Sequence, residues 1–231
     1  MKLVLLPGMD GTGELFDEFL PHITTVDYQV VPLPISGPQD YPSLTAIIQA
    51  ELPESDFVLL AESFSGMIGA QLALNNVPNL RGIIFVGCFL STPNKLLLNF
   101  ARYLPFHTAF KLPFHAFFLR RLMLGKDAGS SLIDKFQKIL NSVPNAALRA
   151  RIRTMLQLKT PKQRCELPVF YLRGNDDRLV SSSRAAEFER CFQRVEYHEL
   201  KGPHFLLQAS PADCADRVTK ILTQMTDRSS G

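Results

Sequence analysis

The sequence predicts an α/β fold built on a mostly parallel β-sheet. Six short apolar runs are spread along the chain, and the first five do not alternate cleanly between apolar and polar residues. Continuous apolar strands are what a sheet covered by helices on both faces requires. Segments with helical periodicity separate the runs, and this succession of strand, helix and strand is typical of a parallel sheet with right-handed crossovers. The strand-like runs are residues 2–6, 28–32, 57–61, 82–87, 169–172 and 195–200, and the helical segments are residues 13–22, 41–52, 64–75, 181–191 and 204–225.

One long segment interrupts this alternation. Between residues 92 and 167 the strand-like runs stop, and helical periodicity appears at residues 134–140 and 146–158. Five prolines punctuate the segment, and proline starts or ends helices. A chain of 231 residues with 46% hydrophobic content suits one domain with a large core. We therefore expect an α/β core from residues 1–92 and 166–226, a helical cap inserted at residues 93–165, and a flexible tail at residues 227–231.

Composition and charge exclude several classes of protein. The formal net charge is only +3, and no dense Lys/Arg run with interleaved aromatics points to nucleic acid. The first apolar run is too short for a signal peptide, and no stretch approaches the length of a membrane span. The four cysteines form no CxxC pair, so we expect neither a zinc site nor a disulfide framework, but reduced thiols in a cytoplasmic protein. They are Cys88, Cys165, Cys191 and Cys214.

Ser63 is the candidate nucleophile. It lies in the segment AESFSG, which follows the third strand-like run and opens a helical segment. A nucleophile elbow has this small-x-Ser-x-small pattern, because the sharp turn brings its flanking residues close to neighbouring backbone. Ala61 and Ser65 satisfy the pattern around Ser63, whereas the alternative nucleophile Ser65 would be flanked by the bulky Met67. Ser63 could also serve only as a helix cap.

A glycine-rich loop follows the first strand-like run. Its sequence, PGMDGTG over residues 7–13, has three glycines in seven residues, which allows close approach to other backbone. It lacks the Gly-Lys-Ser/Thr ending of a phosphate loop. As an oxyanion loop it would lie beside the elbow, with the backbone N–H groups of Met9 and Phe64 as the donors. A tight turn with Thr12 as a helix N-cap is equally consistent with these residues, and the two interpretations are compatible.

An acid and a base are expected at the same edge of the sheet. Asp177 stands in the loop RGNDDRLV after the fifth strand-like run, three residues after Gly174 and three before Val180. Its neighbour Asp176 is the alternative, and we expect it to be a solvated turn residue. Among the five histidines only His204 falls in a loop directly after a strand-like run, where it could reach the other two. The remaining histidines are His22, His107, His115 and His198.

The four segments LPGMDGTG, AESFSG, RGNDDRLV and KGPHFLLQASP together resemble the α/β-hydrolase superfamily of serine hydrolases over nearly the whole chain. The first segment looks like a bacterial branch of the superfamily and is similar to the loop of plant phytyl-ester-synthase-type acyltransferases. The resemblance implies an α/β-hydrolase fold. Because the chain begins directly at the strand before the glycine-rich loop, we expect about six strands and no N-terminal antiparallel hairpin.

The resemblance also implies a reaction. Ser63 would attack the acyl carbon of an ester or thioester while His204, oriented by Asp177, takes its proton, and water would release the acid from an acyl-enzyme. No metal or organic cofactor is implied. An acyltransferase of the same fold and, as a weaker alternative, a non-catalytic binding protein stay open.

Residues of the predicted cap are the candidates for contact with the substrate. Six phenylalanines between residues 100 and 118 either pack onto the sheet or form an apolar acyl pocket, lined by Phe110 and Phe114 together with Leu90 after the fourth strand. They are Phe100, Phe106, Phe110, Phe114, Phe117 and Phe118. We expect Arg149, Arg151 and Arg153 to form a solvated helix face, with a contact to an acidic carrier as the weaker alternative.

Overall fold

A six-stranded parallel sheet forms the centre of the computed structural model, which describes residues 1–103 and 115–229, with side chains up to residue 226. Every pair of neighbouring strands is parallel, and the spatial order is β2–β1–β3–β4–β5–β6. The strands are β1 (Lys2–Leu6), β2 (Tyr28–Val30), β3 (Phe57–Glu62), β4 (Leu80–Val86), β5 (Val169–Gly174) and β6 (Val195–Leu200).

Burial on both faces explains why the four central strands, β1, β3, β4 and β5, are almost continuously apolar. Alternate residues of β3 point to opposite sides, so that Leu59 belongs to one hydrophobic core and Leu60 to the other. Both side chains are fully buried. Burying apolar surface on both faces contributes most of the stability of such a sheet. The two cores therefore fix the register of the strands, since a slip of one residue would exchange the faces.

Nine α-helices cover the sheet in the described part of the chain. Asp40 caps the first of them, and its side chain accepts a hydrogen bond of 3.0 Å from the backbone N–H of Ser43. They are α1 (Tyr41–Ala50), α2 (Gly66–Leu74), α3 (Lys95–Ala101), α4 (His115–Leu119), α5 (Ser130–Ser142), α6 (Asn145–Leu156), α7 (Phe188–Cys191), α8 (Leu206–Ala209) and α9 (Pro211–Ser229). A π-helical turn over Arg120–Leu124 follows α4 directly. Among the described residues no helix is both long and apolar enough to cross a membrane.

The predicted fold class and all six strands are confirmed, but three predicted helices differ in form. Residues 13–22 make two short 3₁₀ turns, Glu14–Glu18 and Leu20–His22, because Gly13 has a left-handed φ of 82° and Pro21 interrupts the segment. Residues 181–191 begin as a 3₁₀ helix, Ser182–Glu187, and end as α7. The last predicted helix is divided into α8 and α9, with Pro211 at the start of α9.

The order of the strands determines where the loops meet. The chain leaves β1 for β2 on one side and leaves β3 for β4 on the other, although β1 and β3 are neighbours. A crevice opens at the carboxyl ends of strands at such a switch point. The loop after β1 and the turn after β3 therefore lie side by side.

Helices α3 to α6 all fall between β4 and β5. Ile133 of α5 and Ile152 of α6 share the hydrophobic core of Leu59, and the hydroxyl of Thr92 donates a hydrogen bond of 3.0 Å to the Met155 carbonyl of α6. These helices are packed against the sheet. The division of the chain into a core and an inserted cap stays a prediction.

Candidate active site

Ser63 occupies a strained turn between β3 and α2. Its φ is 48°, a region that residues other than Gly and Asn rarely adopt and that costs roughly 1–3 kcal/mol. The turn is tight because a Cβ on Gly66 would lie 2.6 Å from the Cβ of Cys88. The hydroxyl of Ser65 is fully buried and donates to the carbonyl of Pro7, which ties the turn to the glycine-rich loop. Of the two candidate serines, only Ser63 has its hydroxyl at the histidine.

Three of the residues that the sequence singled out form a continuous chain of hydrogen bonds. The Oγ of Ser63 lies 2.9 Å from Nε2 of His204, and Nδ1 of His204 lies 2.8 Å from Oδ2 of Asp177. The other carboxylate oxygen of Asp177 accepts the backbone N–H groups of Leu179 and Val180, each at 2.9 Å. These contacts fix the orientation of Asp177 and, through it, of the imidazole ring.

The electrostatics of the pair favour an ionised carboxylate beside a basic imidazole. Burial by itself raises the pKa of Asp177, but the charge and hydrogen bond of His204, together with the two backbone N–H groups, outweigh it and lower the pKa below its ordinary value. Burial by itself lowers the pKa of His204, and the charge and hydrogen bond of Asp177 outweigh it, so the pKa is raised. His204 is thereby a better proton acceptor than a free imidazole.

The competing acid and bases lie elsewhere. Asp176 is exposed and accepts a hydrogen bond of 2.9 Å from Arg178. His198 is on β6, where its Nε2 lies 3.1 Å from Glu196, and His22 is exposed at the end of a 3₁₀ turn. His115 begins α4 and lines the cavity described below. His107 lies outside the described residues.

The glycine-rich loop closes on itself beside Ser63. The N–H of Gly11 donates to the carbonyl of Gly8, and the carboxylate of Asp10 accepts the backbone and side-chain groups of Thr12 at 3.0 and 2.8 Å. Thr12 also accepts the N–H of Glu14 at 3.2 Å, but the N-cap of the 3₁₀ turn Glu14–Glu18 is Gly13 and not the predicted Thr12. Among the described residues the N–H of Met9 has no hydrogen-bond acceptor. Phe64 stands in the first turn of a helix, where N–H groups have no intrahelical partner.

Arg151 corrects the prediction of a solvated face on α6. Its side chain is fully buried and donates to the carbonyls of Met9 at 2.7 Å, Asp10 at 2.9 Å and Pro34 at 2.9 Å, and to the side chain of Gln39 at 2.8 Å. Burial lowers its pKa to about 10, although the charge of Asp10 acts in the opposite direction. Arg151 is thus a clamp on the backbone of the glycine-rich loop.

The sequence did contain a signal for this clamp. Arg151 follows Leu148 by three residues and precedes Met155 by four, which places it on the apolar face of α6. A charged residue at a core position is costly unless its donors are satisfied. Of its two neighbouring arginines, Arg149 is half-buried and Arg153 is exposed.

Glu62, the residue before Ser63, is a second charged group in the interior. It is almost completely buried, and neither of its carboxylate oxygens makes a hydrogen bond of good geometry among the described residues, although Gln208 and the backbone of Gly8 lie close enough to act on its pKa in the lowering direction. Burial and the nearby charge of Asp10 raise the pKa of Glu62 to about 7. The site therefore holds a carboxyl group that changes its charge near neutral pH.

An apolar cavity of about 440 Å³ reaches Ser63 and His204 from the side of α3, α4 and α6. This size is within the range of small-molecule sites. Leu90 is fully buried, but Phe89 and not Leu90 lines the cavity. Phe110 and Phe114 lie outside the described residues. The lining includes Met9, Phe89, Leu98, Phe100, Phe118, Leu119, Leu122, Ile152, Met155 and Phe205.

No group of three His, Cys, Asp or Glu side chains within the described ranges is arranged to hold a metal ion. The chemistry available at the site is that of a serine hydroxyl, an imidazole, a carboxylate and backbone N–H groups. This set can transfer a proton and form a bond to an electrophilic carbon.

Comparisons with solved structures show the same fold at low sequence identity. The RedJ thioesterase of the prodiginine biosynthetic pathway in Streptomyces coelicolor has a TM-score of 0.67 and 19% identity, covering 97% of this chain and 85% of that one. A lipase-esterase related protein from Clostridium acetobutylicum has a TM-score of 0.77 and 16% identity, covering 95% and 93%. The enol-lactonase from Burkholderia xenovorans has a TM-score of 0.76 and 13% identity, covering 98% and 91%.

A family model identifies the sequence itself. No curated protein matches the chain, but the model described as serine aminopeptidase, S33, matches residues 38–203, which is more than half of the chain. The match includes Ser63 and Asp177 and ends one residue before His204. The chain therefore belongs to the serine aminopeptidase S33 family of hydrolases and has the α/β-hydrolase fold.

Proposed function

We propose that this protein is a serine hydrolase that cleaves a carboxylic ester or thioester with an apolar acyl group through an acyl-enzyme on Ser63. The observation that carries the proposal is the continuous hydrogen-bond chain from Ser63 through His204 to Asp177. Its geometry meets the requirement that nucleophile, base and orienting group stand within hydrogen-bond reach of one another.

The first half-reaction forms the acyl-enzyme. His204 takes the proton of Ser63 through Nε2 as Oγ attacks the acyl carbon, and Asp177 stabilises the imidazolium that forms. The carbonyl oxygen becomes an oxyanion, for which the N–H groups of Met9 and Phe64 are the proposed donors. His204 then gives its proton to the departing alcohol or thiol.

The second half-reaction releases the acid. A water molecule occupies the place of the leaving group and gives a proton to His204 as it attacks the acyl carbon. Collapse of the second oxyanion restores Ser63, and His204 returns the proton to its Oγ. These steps use only side chains and backbone amides of this chain.

The lining of the cavity supports an apolar acyl group over a peptide substrate. An aminopeptidase has to bind the ammonium group at the N-terminus of its substrate, and carboxylates are the usual partners of that group. None of the described residues that line the cavity is Asp or Glu, and most are Leu, Ile, Met or Phe. An alkyl chain would bury its surface there without an unpaired charge on either side.

An acyltransferase is the second candidate, and the same cavity favours it. Water binds poorly among apolar side chains, so an alcohol with an apolar body could compete with water for the acyl-enzyme. A non-catalytic binding protein would have no need of the intact hydrogen-bond chain at Ser63.

We also propose, from the cysteine pattern of the sequence, that the protein acts in the cytoplasm.

Turnover of nitrophenyl esters with acyl chains of increasing length tests the proposal. The parent protein is expected to hydrolyse them, and Ser63→Ala to lose activity on the order of a thousandfold or more. Ser65→Ala is the matched control, since it removes the neighbouring hydroxyl, and a loss of no more than about tenfold is expected from one buried hydrogen bond. Equal activity of Ser63→Ala and the parent would overturn the proposal. Product analysis with an added alcohol separates transfer from hydrolysis.

A further inference from the structure

Large apolar side chains protrude into solvent on one part of the surface. Of the large hydrophobic residues described, the five most exposed all fall between residues 96 and 118: Leu96 (86%), Tyr103 (72%), Phe100 (66%), Phe117 (60%) and Phe118 (59%). The next is Ile35 at 51%. Single exposed apolar residues need no explanation, whereas a cluster marks an interaction surface. We call these five residues the apolar rim.

Two residues of the apolar rim stand at the entrance of the cavity. Phe100 of α3 and Phe118 of α4 both line the cavity while most of each side chain is exposed, so they stand at its mouth. Leu96, Phe100 and Tyr103 are spaced four and three residues apart, which places them along one stripe of α3 and its end. The ring centroids of Phe117 and Phe118 are 5.8 Å apart, with the rings edge to face.

The charged residues of the segment that carries the rim are all basic. No Asp or Glu occurs between Glu62 and Asp127, although the chain as a whole has 22 acidic residues. Lys95 begins α3, Arg102 is the C-cap residue that follows it, and Arg102 lies over the ring of Tyr103. The other described cations of the segment 93–126 are Arg120, Arg121 and Lys126.

We propose that the apolar rim docks the protein onto the surface of a membrane that contains anionic lipid. Protruding leucine and aromatic side chains with flanking Lys and Arg are what an element lying in the lipid headgroup region requires. The cations meet the negative surface of the membrane, and the apolar side chains enter the boundary between headgroups and acyl chains. The mode is docking from one side, with no helix crossing the bilayer.

An acidic protein partner is the other binder that the charges could attract. The cations would bind such a partner. Binding by charge alone would leave the side chains of Leu96 and Phe117, which lie outside the cavity lining, exposed to water. The degree of exposure of these side chains favours lipid. Under the proposed function, docking would also place the mouth of the cavity against the membrane, so that an acyl substrate could enter without passing through water. This last step alone rests on the proposed function.

Vesicle flotation with the Ser63→Ala protein tests docking without any hydrolysis of lipid. The probes are phosphatidylcholine vesicles with and without phosphatidylglycerol, at low and high salt. We expect binding that requires phosphatidylglycerol and weakens as salt rises. The double variant Leu96→Ser, Phe117→Ser should bind at least about tenfold more weakly, because it removes two apolar side chains from the interface. Ile47→Ser is the matched control, an exposed apolar residue on α1 outside the rim, and should bind as the parent does.

Two further measurements make the outcome decisive. The same double substitution in the active protein should leave hydrolysis of a short water-soluble ester unchanged, since neither residue lines the cavity, and this shows that the variant is folded. Lys95→Gln with Arg121→Gln should remove the preference for phosphatidylglycerol. Absence of binding to any vesicle would overturn the proposal. So would binding that salt abolishes completely and that Leu96→Ser, Phe117→Ser retains, because such binding would be purely electrostatic and would not involve the apolar rim.

Discussion

Arg151 of α6 holds the carbonyl oxygen of Met9 at 2.7 Å from its Nη1 atom. The same guanidinium holds the carbonyl of Asp10, so the backbone that carries the proposed oxyanion donor is fixed from the helix that also lines the cavity. Arg151→Met is expected to lower kcat about 100-fold with a smaller change in KM, because a loop displaced by about 1 Å loses stabilisation of the transition state. Steady-state kinetics on a nitrophenyl ester measure this split.

Thr154→Val is the control for Arg151. Thr154 is one turn further along α6 and donates a hydrogen bond of 3.1 Å to the carbonyl of Gln39, without contact to the glycine-rich loop. Thr154→Val is expected to keep kcat within a few-fold of the parent, although it loses a hydrogen bond to Gln39, a residue that Arg151 also contacts. A loss of kcat in Thr154→Val as large as that in Arg151→Met would show that the loop is not specifically held by Arg151.

Glu62 is expected to make stability depend on pH around neutrality. Its pKa is about 7 in the folded protein and 4.5 as the ordinary value. The folded protein therefore holds the proton of this carboxyl more tightly than the unfolded chain does. The resulting contribution to the free energy of unfolding is fully present below pH 4.5 and is lost as the pH rises through about 7. Between about pH 5 and about pH 8, Glu62→Gln should gain up to about 3 kcal/mol relative to the parent.

Denaturant unfolding of parent and Glu62→Gln at both pH values measures this change. Glu14→Gln is a suitable control, since it removes an exposed carboxyl of the same type. The predicted signature is a flatter pH dependence in Glu62→Gln alone. A difference between parent and Glu62→Gln that stays constant with pH would contradict the raised pKa.

His204 is expected to set the acidic limb of the activity. Only the neutral imidazole can take the proton of Ser63, and Asp177 raises the pKa of His204 above 6.5. Activity should therefore fall as pH decreases, with a midpoint above 6.5. In Asp177→Asn the burial that lowers the pKa acts without opposition from Asp177, so the midpoint should move to lower pH in addition to a loss of rate.

The pH dependence of kcat/KM gives this midpoint for the free enzyme. Both proteins should be measured with Glu62→Gln in the background, because Glu62 titrates in the same range. A midpoint that moves to higher pH in Asp177→Asn would contradict the assignment.

The cavity predicts a dependence on acyl chain length. Leu122 is a partly buried residue of its lining, and Leu122→Trp would fill part of the volume of about 440 Å³. We expect kcat/KM to fall with increasing acyl length in Leu122→Trp while the acetyl ester is hydrolysed as before, because only a longer chain needs that space. Leu132→Trp, outside the lining, is the control. A uniform loss for all chain lengths would show a general disturbance instead.

The residues that the sequence located best stand at the ends of buried strands. Ser63 and Asp177 each follow a continuously apolar run, His204 follows the mixed run of the edge strand β6, and parallel strands bring their carboxyl ends to one edge. The first two runs are readable in the sequence because β3 and β5 are buried on both faces. The roles of these three residues stay predictions, although their side chains are hydrogen-bonded.

Other features depend on contacts that a sequence does not display. The sequence predicts Arg151 on a solvated face, as for most arginines, whereas in the fold three backbone carbonyls and the side chain of Gln39 satisfy its donors. The sequence predicts Leu90 in the pocket, but Phe89 lines the cavity instead. Gly87 has a φ of 58°, which turns the chain after β4 and changes which side each following residue faces.

Ser63 is proposed to carry the acyl group, and identifying the acylated residue by mass spectrometry tests this directly. The protein is mixed with a slowly deacylating nitrophenyl ester, quenched in acid, digested and analysed by mass spectrometry. We expect one acyl group on the peptide of Ser63, with fragment ions that assign it to that residue and not to Ser65, and no adduct in Ser63→Ala. An acyl adduct on another residue that forms at the rate of turnover, or one that persists in Ser63→Ala, would rule out Ser63 as the nucleophile.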